Sequence, residues 1–199
     1  MSWIERIPYE RATGRLRTTY DRIRGPNGEL DNILTVHSLR PHTLDGHMAL
    51  YKNVLHHTGN RLPVWLLETI GIYVSLLNRC DYCVDHHVAG LRRLLADDAR
   101  ASALRASLED DALDGFEARE RAMLAYARQL TIDPASVGEA DLDRLREAGL
   151  DDGEILEVNQ VAAYFAYANR TVLGLGVTTR GDVLGLSPAE SAGDDWKHG

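Results

Sequence analysis

The sequence predicts an all-α fold, a multi-helix bundle built around a central helical hairpin. Three observations predict it. Apolar residues recur at helical spacing along most of the chain. Residues that start and stop helices fall between these segments, and the links are short, as in helical bundles. No stretch shows the strict alternation of a half-buried strand. With 199 residues, 44% of them apolar, the chain can bury one well-formed core. A single domain is expected over residues 1–186, followed by an acidic C-terminal tail at 187–199.

Residues 8–24 open the fold: Leu16, Tyr20 and Ile23 share a helical face, and Gly25-Pro26-Asn27-Gly28 stops the helix. Residues 30–39 form a second, short helix that ends near Arg40-Pro41. A third runs from Pro41 to His57, with Leu44, Met48, Tyr51 and Leu55 facing the core and Gly59 as its C-terminal cap. Pro63 suits a first helical turn, where its missing N–H costs nothing. From there to Leu77 the sequence is apolar nearly all round, the mark of a buried helix. Asn78 and Arg79 make a corner, and a fifth helix spans Asp81 to Leu95.

The polar stretch that follows gives a short helix, Ala99–Leu108, and a loop. Asp114-x-x-Glu117 has the form of a capping box. The helix it would start carries Ala122, Leu124, Ala125 and Leu130 and ends near Asp133-Pro134. Glu139–Ala148 is a small helix closed by Gly149. Asp151-x-x-Glu154 starts the last helix, which runs to about Leu173 with Ile155, Val158, Ala162, Phe165 and Ala166 facing the core.

Charge and hydropathy exclude several partners. The formal charge of −8 disfavours a nucleic-acid backbone. No stretch reaches the ~18 uncharged apolar residues of a membrane span. MSWIERIPYE places charges where a secretion signal needs an apolar run, so a cytoplasmic chain is expected. In that compartment a C-x-x-C pair points to redox or metal chemistry rather than a structural bridge.

Such a pair, Cys80 and Cys83, contributes the only cysteines of the chain. Cys83 and His87 stand four apart on one helix and share a face. Glu68 is the only charged residue of the apolar helix before them. A lone carboxylate there is costly without a partner or a raised pKa, which marks it as a functional candidate. If the two helices pack as an antiparallel hairpin, Glu68 and His87 lie at similar heights from the corner. Carboxylate, imidazole and thiol can then align. A thiolate is the reactive form, and a helix N-terminus and a nearby imidazole both favour it. A carboxylate behind the imidazole fixes its tautomer and raises its basicity. The second thiol can resolve a sulfenic acid on the first. The dipole alone favours Cys80 as the attacking thiol; the one-turn distance to His87 favours Cys83. A structural disulfide, two unrelated core cysteines, or a zinc site from Cys80, Cys83, His87 and either His86 or Glu68 are the competing readings.

The motif E-x11-C-x2-C-x3-H, formed by Glu68, Cys80, Cys83 and His87, resembles the signature of the alkylhydroperoxidase D-like (AhpD-like) family, within the carboxymuconolactone decarboxylase superfamily. NILTVHSLRPHTLDGHMALYKNVL upstream and ERAMLAYARQLTIDPASV and VAAYFAYANRTVLGLGV downstream resemble its larger, peroxidase-related branch, over roughly residues 5–180. The resemblance implies an all-helical homo-oligomer, a trimer or hexamer, that reduces hydroperoxides without haem, flavin or metal. It implies that Cys83 attacks the peroxide, Cys80 resolves it, and Glu68 and His87 move protons. The reductant it implies is a dithiol, from a lipoyl protein or a thioredoxin-like protein. The chain departs from the best-known members in placing Asp81-Tyr82, with no histidine, between the cysteines. Asp81 opposes thiolate formation by its charge, yet suits a helix N-terminus.

His37, His42, His47, His56 and His57 cluster before the motif but form no strong metal spacing. Surface or cap positions are expected for them, with His37 and His47 the two to test for proximity to the thiols. In Tyr164–Arg170, aromatics at helical spacing read first as core packing and second as a pocket wall or subunit contact.

Overall fold

Among the described residues, 1–186 of a computed structural model, the chain forms nine α-helices and no β-strand. The expected tail, 187–199, lies outside them. The helices are α1 (Gly14–Ile23), α2 (Asn32–Thr35), α3 (Pro41–Tyr51), α4 (Val64–Leu77), α5 (Asp81–Leu95), α6 (Asp98–Glu109), α7 (Ala118–Ile132), α8 (Glu139–Glu147) and α9 (Asp152–Leu175). None of them is long and apolar enough to cross a membrane.

α4 is the axis of the bundle. Every residue from Leu66 to Ser75 is buried, because α5, α6, α7 and α9 all pack on it. Leu67, Ile70, Ile72 and Val74 have no exposed surface, and each such side chain contributes about 1.5–3 kcal/mol on burial. Its hydroxyls turn back into the helix: Thr69 donates to the Trp65 carbonyl at 2.7 Å and Ser75 to that of Gly71 at 2.8 Å. Polar side chains thus cross the core with their hydrogen bonds made.

The corner after α4 is tight. Arg79 adopts φ 57°, and the Cys80 N–H donates to the Ser75 carbonyl at 2.9 Å. Cys80 is therefore fixed at the N-cap of α5. α5 packs on α4 more extensively than any other pair of helices does.

The second helix is confined to Asn32–Thr35 within the expected 30–39, and two further boundaries differ from expectation. The third helix stops being α-helical at Tyr51 and widens into a π-helical turn, Lys52–His56. It ends in an extended residue, His57, so Gly59 is no helix cap. The Gly59 N–H instead donates to His57 Nδ1 at 2.9 Å. The other is the start of α7, where Glu117, not Asp114, is the N-cap. Glu120 accepts from the Glu117 N–H at 2.9 Å. The spacing rule was satisfied twice, and the copy adjoining the apolar periodicity caps the helix. At α9 the expected box forms, with Asp151 accepting from the Glu154 N–H at 2.9 Å and Glu154 from the Asp151 N–H at 3.0 Å.

Beyond α9 the chain returns across the start of the fold. Asn32 Nδ2 donates to the Thr178 and Arg180 carbonyls at 2.8 and 3.1 Å. The segment then crosses α5 so closely that a Cβ at Gly185 would meet Ala89 at 2.8 Å. This returning strand of chain closes one wall of the site.

Candidate functional site

α4 and α5 bring Glu68 and His87 together: His87 Nδ1 lies 2.5 Å from Glu68 Oε2. His56, delivered by the π-helical turn, places Nε2 at 3.7 Å from Glu68 Oε1. Burial by itself would push the Glu68 carboxyl up. The charge and hydrogen bond of His87, with the charges of His56 and Arg93, outweigh burial and hold it below the usual glutamate range. Glu68 is thus a buried anion with partners. It accepts from Nδ1 of His87, which leaves Nε2 as the basic nitrogen of that ring. Phe165 presses edge-on against the His87 ring, with centroids 4.6 Å apart, and limits its rotation.

Cys80 and Cys83 are free thiols, 0% and 2% exposed, and hydrogen-bond each other. The Cys80 thiol is pushed down because the Cys83 S–H donates to it. Burial opposes this, and the Cys83 N–H and Asn169 reinforce it. Asp81 acts against the thiolate, as its charge requires. The Cys83 thiol is pushed well up, first by its donation to Cys80 and then by burial. The first proton lost from the pair therefore leaves its charge on Cys80, the thiol at the helix start. His87, one turn away, does not offset these influences on Cys83. The reason is that His87 is committed to Glu68, and the strongest influence on Cys83 is its neighbouring sulfur.

Access divides the two sulfurs the other way. Cys83 lines a cavity of about 40 Å³, together with Glu68, His87, Asp31, Tyr51 and Tyr164; Cys80 lies outside that lining. Tyr51 is part of that lining. Burial raises its hydroxyl well above the ordinary tyrosine value, and the charges of Glu68, Asp31 and Cys83 raise it further. Tyr164 stacks on Tyr51 at 5.6 Å. In the aromatic segment of α9, Tyr164 is thus a pocket wall and Phe165 a packing residue.

The histidine group is not a surface cluster throughout. His42 is exposed and His57 half-buried, but His47 and His56 are buried. His47 lines the cavity, and burial lowers its pKa to about 3, so it is a neutral ring. Half-buried His37 packs on it at 5.1 Å and bonds Thr43 Oγ1 at 2.9 Å through Nδ1.

Sequence reasoning missed three contributors. Asn169 is fully buried and joins Asn78, Ser75 and both sulfurs. A single amide inside an otherwise apolar helix face was the available signal. Asp182 accepts from Tyr82 OH at 2.8 Å and from the Asn32 N–H, with His86 Nε2 at 3.2 Å. Asp31 faces the other nitrogen of His86, at 4.0 Å from Nδ1. Asp31, His86 and Asp182 bring candidate ligand atoms within 4.8 Å of one another. Asp182 approaches Nε2 of His86 and Asp31 approaches Nδ1, so the two carboxylates share the imidazole. His86 is thereby turned to the carboxylates and is not gathered with the cysteines for the zinc site considered above.

Residues 41–129, which contain the whole Glu–Cys–Cys–His set, match the family described as the carboxymuconolactone decarboxylase family. Comparison with curated proteins gives no match. Among solved structures, the chain is similar to an uncharacterized peroxidase-related protein from Silicibacter sp. TM1040. Identity is 26% over 75% of this chain and 78% of that one, with a TM-score of 0.66. It is similar to an alkylhydroperoxidase AhpD core, an uncharacterized peroxidase-related protein from Ralstonia eutropha JMP134. There identity is 23%, with 89% and 92% of the chains covered and a TM-score of 0.78. The debrominase Bmp8 shares the fold at 20% identity, 88% and 91% coverage and a TM-score of 0.71.

Proposed function

We propose that this chain, which matches the carboxymuconolactone decarboxylase family over residues 41–129, is a thiol peroxidase that cycles between a dithiol and a Cys80–Cys83 disulfide. One observation carries the reading. Two hydrogen-bonded thiols stand with Cys83 lining a small cavity that Glu68 and His87 also line.

The pair loses its first proton readily because the remaining S–H stabilises the thiolate. Transfer of that S–H proton along the hydrogen bond between the sulfurs moves the charge to Cys83, the cysteine that lines the cavity. His87, held in one tautomer by Glu68, takes up the released proton. Cys83 thiolate attacks the terminal oxygen of a hydroperoxide, the O–O bond breaks, and an alcohol or water leaves. Cys83 sulfenic acid then condenses with Cys80 to give the disulfide and water. A dithiol reductant restores both thiols by exchange.

The depth of the sulfurs bears on the partners. Neither presents surface to a folded disulfide partner. That favours a peroxide as oxidant over protein disulfide exchange, and a slender lipoyl group over a thioredoxin-like face as reductant. The cavity of about 40 Å³ favours small hydroperoxides. Exposed Leu156, Tyr167 and Leu173 on α9 suit a contact between copies in a homo-oligomer.

The test is consumption of hydrogen peroxide with dihydrolipoamide as reductant. Turnover abolished by Cys83→Ser supports the reading. Fast dithiol–disulfide exchange with negligible peroxide turnover contradicts it.

A further inference from the structure

We propose that Asp31 is a further catalytic residue, the proton donor to the oxygen that leaves when Cys83 attacks a hydroperoxide. The inference rests on the peroxidase reading above and names the acid that reading lacks.

Asp31 occupies the N-cap of α2, yet its side chain caps nothing. It is 8% exposed and lines the same cavity as Cys83. Among the described residues, its Oδ1 is buried without a hydrogen-bond partner. A buried polar atom left unsatisfied is costly, and its persistence calls for an explanation. A ligand that enters the cavity supplies one. The carboxyl is faced by His86, His87 and Tyr82 from α5, by Tyr51 from α3, by Asp182 from the returning segment, and by Glu29. His86 Nδ1, at 4.0 Å, is too far to satisfy the carboxyl by a hydrogen bond.

The two carboxyls of the cavity are pushed apart. Glu68 is held ionised by His87 and His56. Burial pushes Asp31 up to about 6, despite the opposing charge of His86, so its protonated form is accessible near neutrality. Carboxyls whose surroundings separate them in this way divide acid and base roles. A protonated carboxyl carries one O–H donor, which an ionised one lacks.

The step balances. The Cys83 sulfur forms a bond to the terminal oxygen of R–O–O–H and the O–O bond breaks. The electron pair stays on R–O, which takes the proton of the Asp31 carboxyl. The products are Cys83 sulfenic acid, R–OH and Asp31 carboxylate, which regains a proton from water before the next turnover.

The experiment compares wild type with Asp31→Asn, an isosteric change that cannot give a proton. Reduced protein is mixed rapidly with hydrogen peroxide, ethyl hydroperoxide or peracetic acid, and the rate of Cys83 oxidation is followed. Hydroxide and ethoxide leave poorly without a proton; acetate leaves readily. Asp31→Asn is expected to slow the first two reactions about a hundredfold, the usual worth of a general acid, and to leave peracetic acid nearly unchanged. Asp31→Glu should recover part of the loss. An equal loss with all three oxidants would make Asp31 structural and overturn the proposal, as would no loss with any. Wild-type protein inert to every peroxide would instead sink the peroxidase reading itself.

Discussion

Gly71 and Phe165 meet with no room for a methyl group between them: a Cβ on Gly71 would lie 2.1 Å from the Phe165 ring. The other side of that ring's neighbourhood is His87, edge-on at 4.6 Å. A glycine in the middle of α4 thus sets the position of the imidazole on α5. Gly71→Ala should destabilise the fold by about 1–3 kcal/mol through overpacking. It should also cut peroxide turnover about tenfold or more, since small displacements of positioned groups are costly. Urea unfolding and steady-state kinetics measure the two effects. Phe165→Leu added to Gly71→Ala should recover stability, and strict additivity would refute the contact.

Glu68→Gln should destabilise the protein by about 3 kcal/mol near pH 7.5, as removal of one partner from a buried pair does. The sign follows from its carboxyl being held below an ordinary glutamate's 4.5 in the fold. Stability from such a group is present above 4.5 and is lost as pH falls through the lower, folded value. The gap between wild type and variant should therefore narrow in acid. Unfolding midpoints measured from pH 7.5 down to pH 3 would show it.

Asp31 behaves in the opposite sense. Its folded value of about 6 lies above an ordinary aspartate's 3.8. Its contribution is fully present below 3.8 and is lost as pH rises through 6. Asp31→Asn should consequently be more stable than wild type at pH 7.5, by about 3 kcal/mol, and lose that advantage near pH 4. A variant less stable at pH 7.5 would show that the carboxylate serves chiefly as a partner for His86.

Asn169 is the amide that reaches both sulfurs, held by Asn78 at 2.9 Å and by Ser75 at 3.0 Å. It favours the thiolate on either cysteine. Asn169→Ala should raise the pH at which the dithiol becomes reactive and slow its alkylation by iodoacetamide several-fold at pH 7. An unchanged pH profile would remove Asn169 from the site.

What the sequence disclosed, it disclosed through local patterns. The apolar run of α4, the corner at Asn78–Arg79 and the capping box at Asp151 each depend on residues a few positions apart. The all-α class follows from such signals added together. Glu68 stood out because one charge in an apolar helix needs a partner, and His87 is that partner. Hidden features depend on distant segments or on backbone irregularity. Asn32 and Asp182, 150 residues apart, must meet before the bridged His86 exists. A π-helical turn, not a motif, brings His56 to Glu68. The balance of charge between the two thiols lies beyond sequence spacing, because it depends on which sulfur donates to the other, a matter of tertiary geometry.

The most direct measurement is mass spectrometry of reduced protein after one equivalent of hydrogen peroxide, in wild type, Cys80→Ser and Cys83→Ser. With Cys83 as the attacking thiol and Cys80 as the resolving one, wild type loses two hydrogens. Cys80→Ser then gains one oxygen on Cys83, and Cys83→Ser stays unmodified. Oxygen gained on Cys80 in Cys83→Ser, with Cys80→Ser inert, would contradict the account.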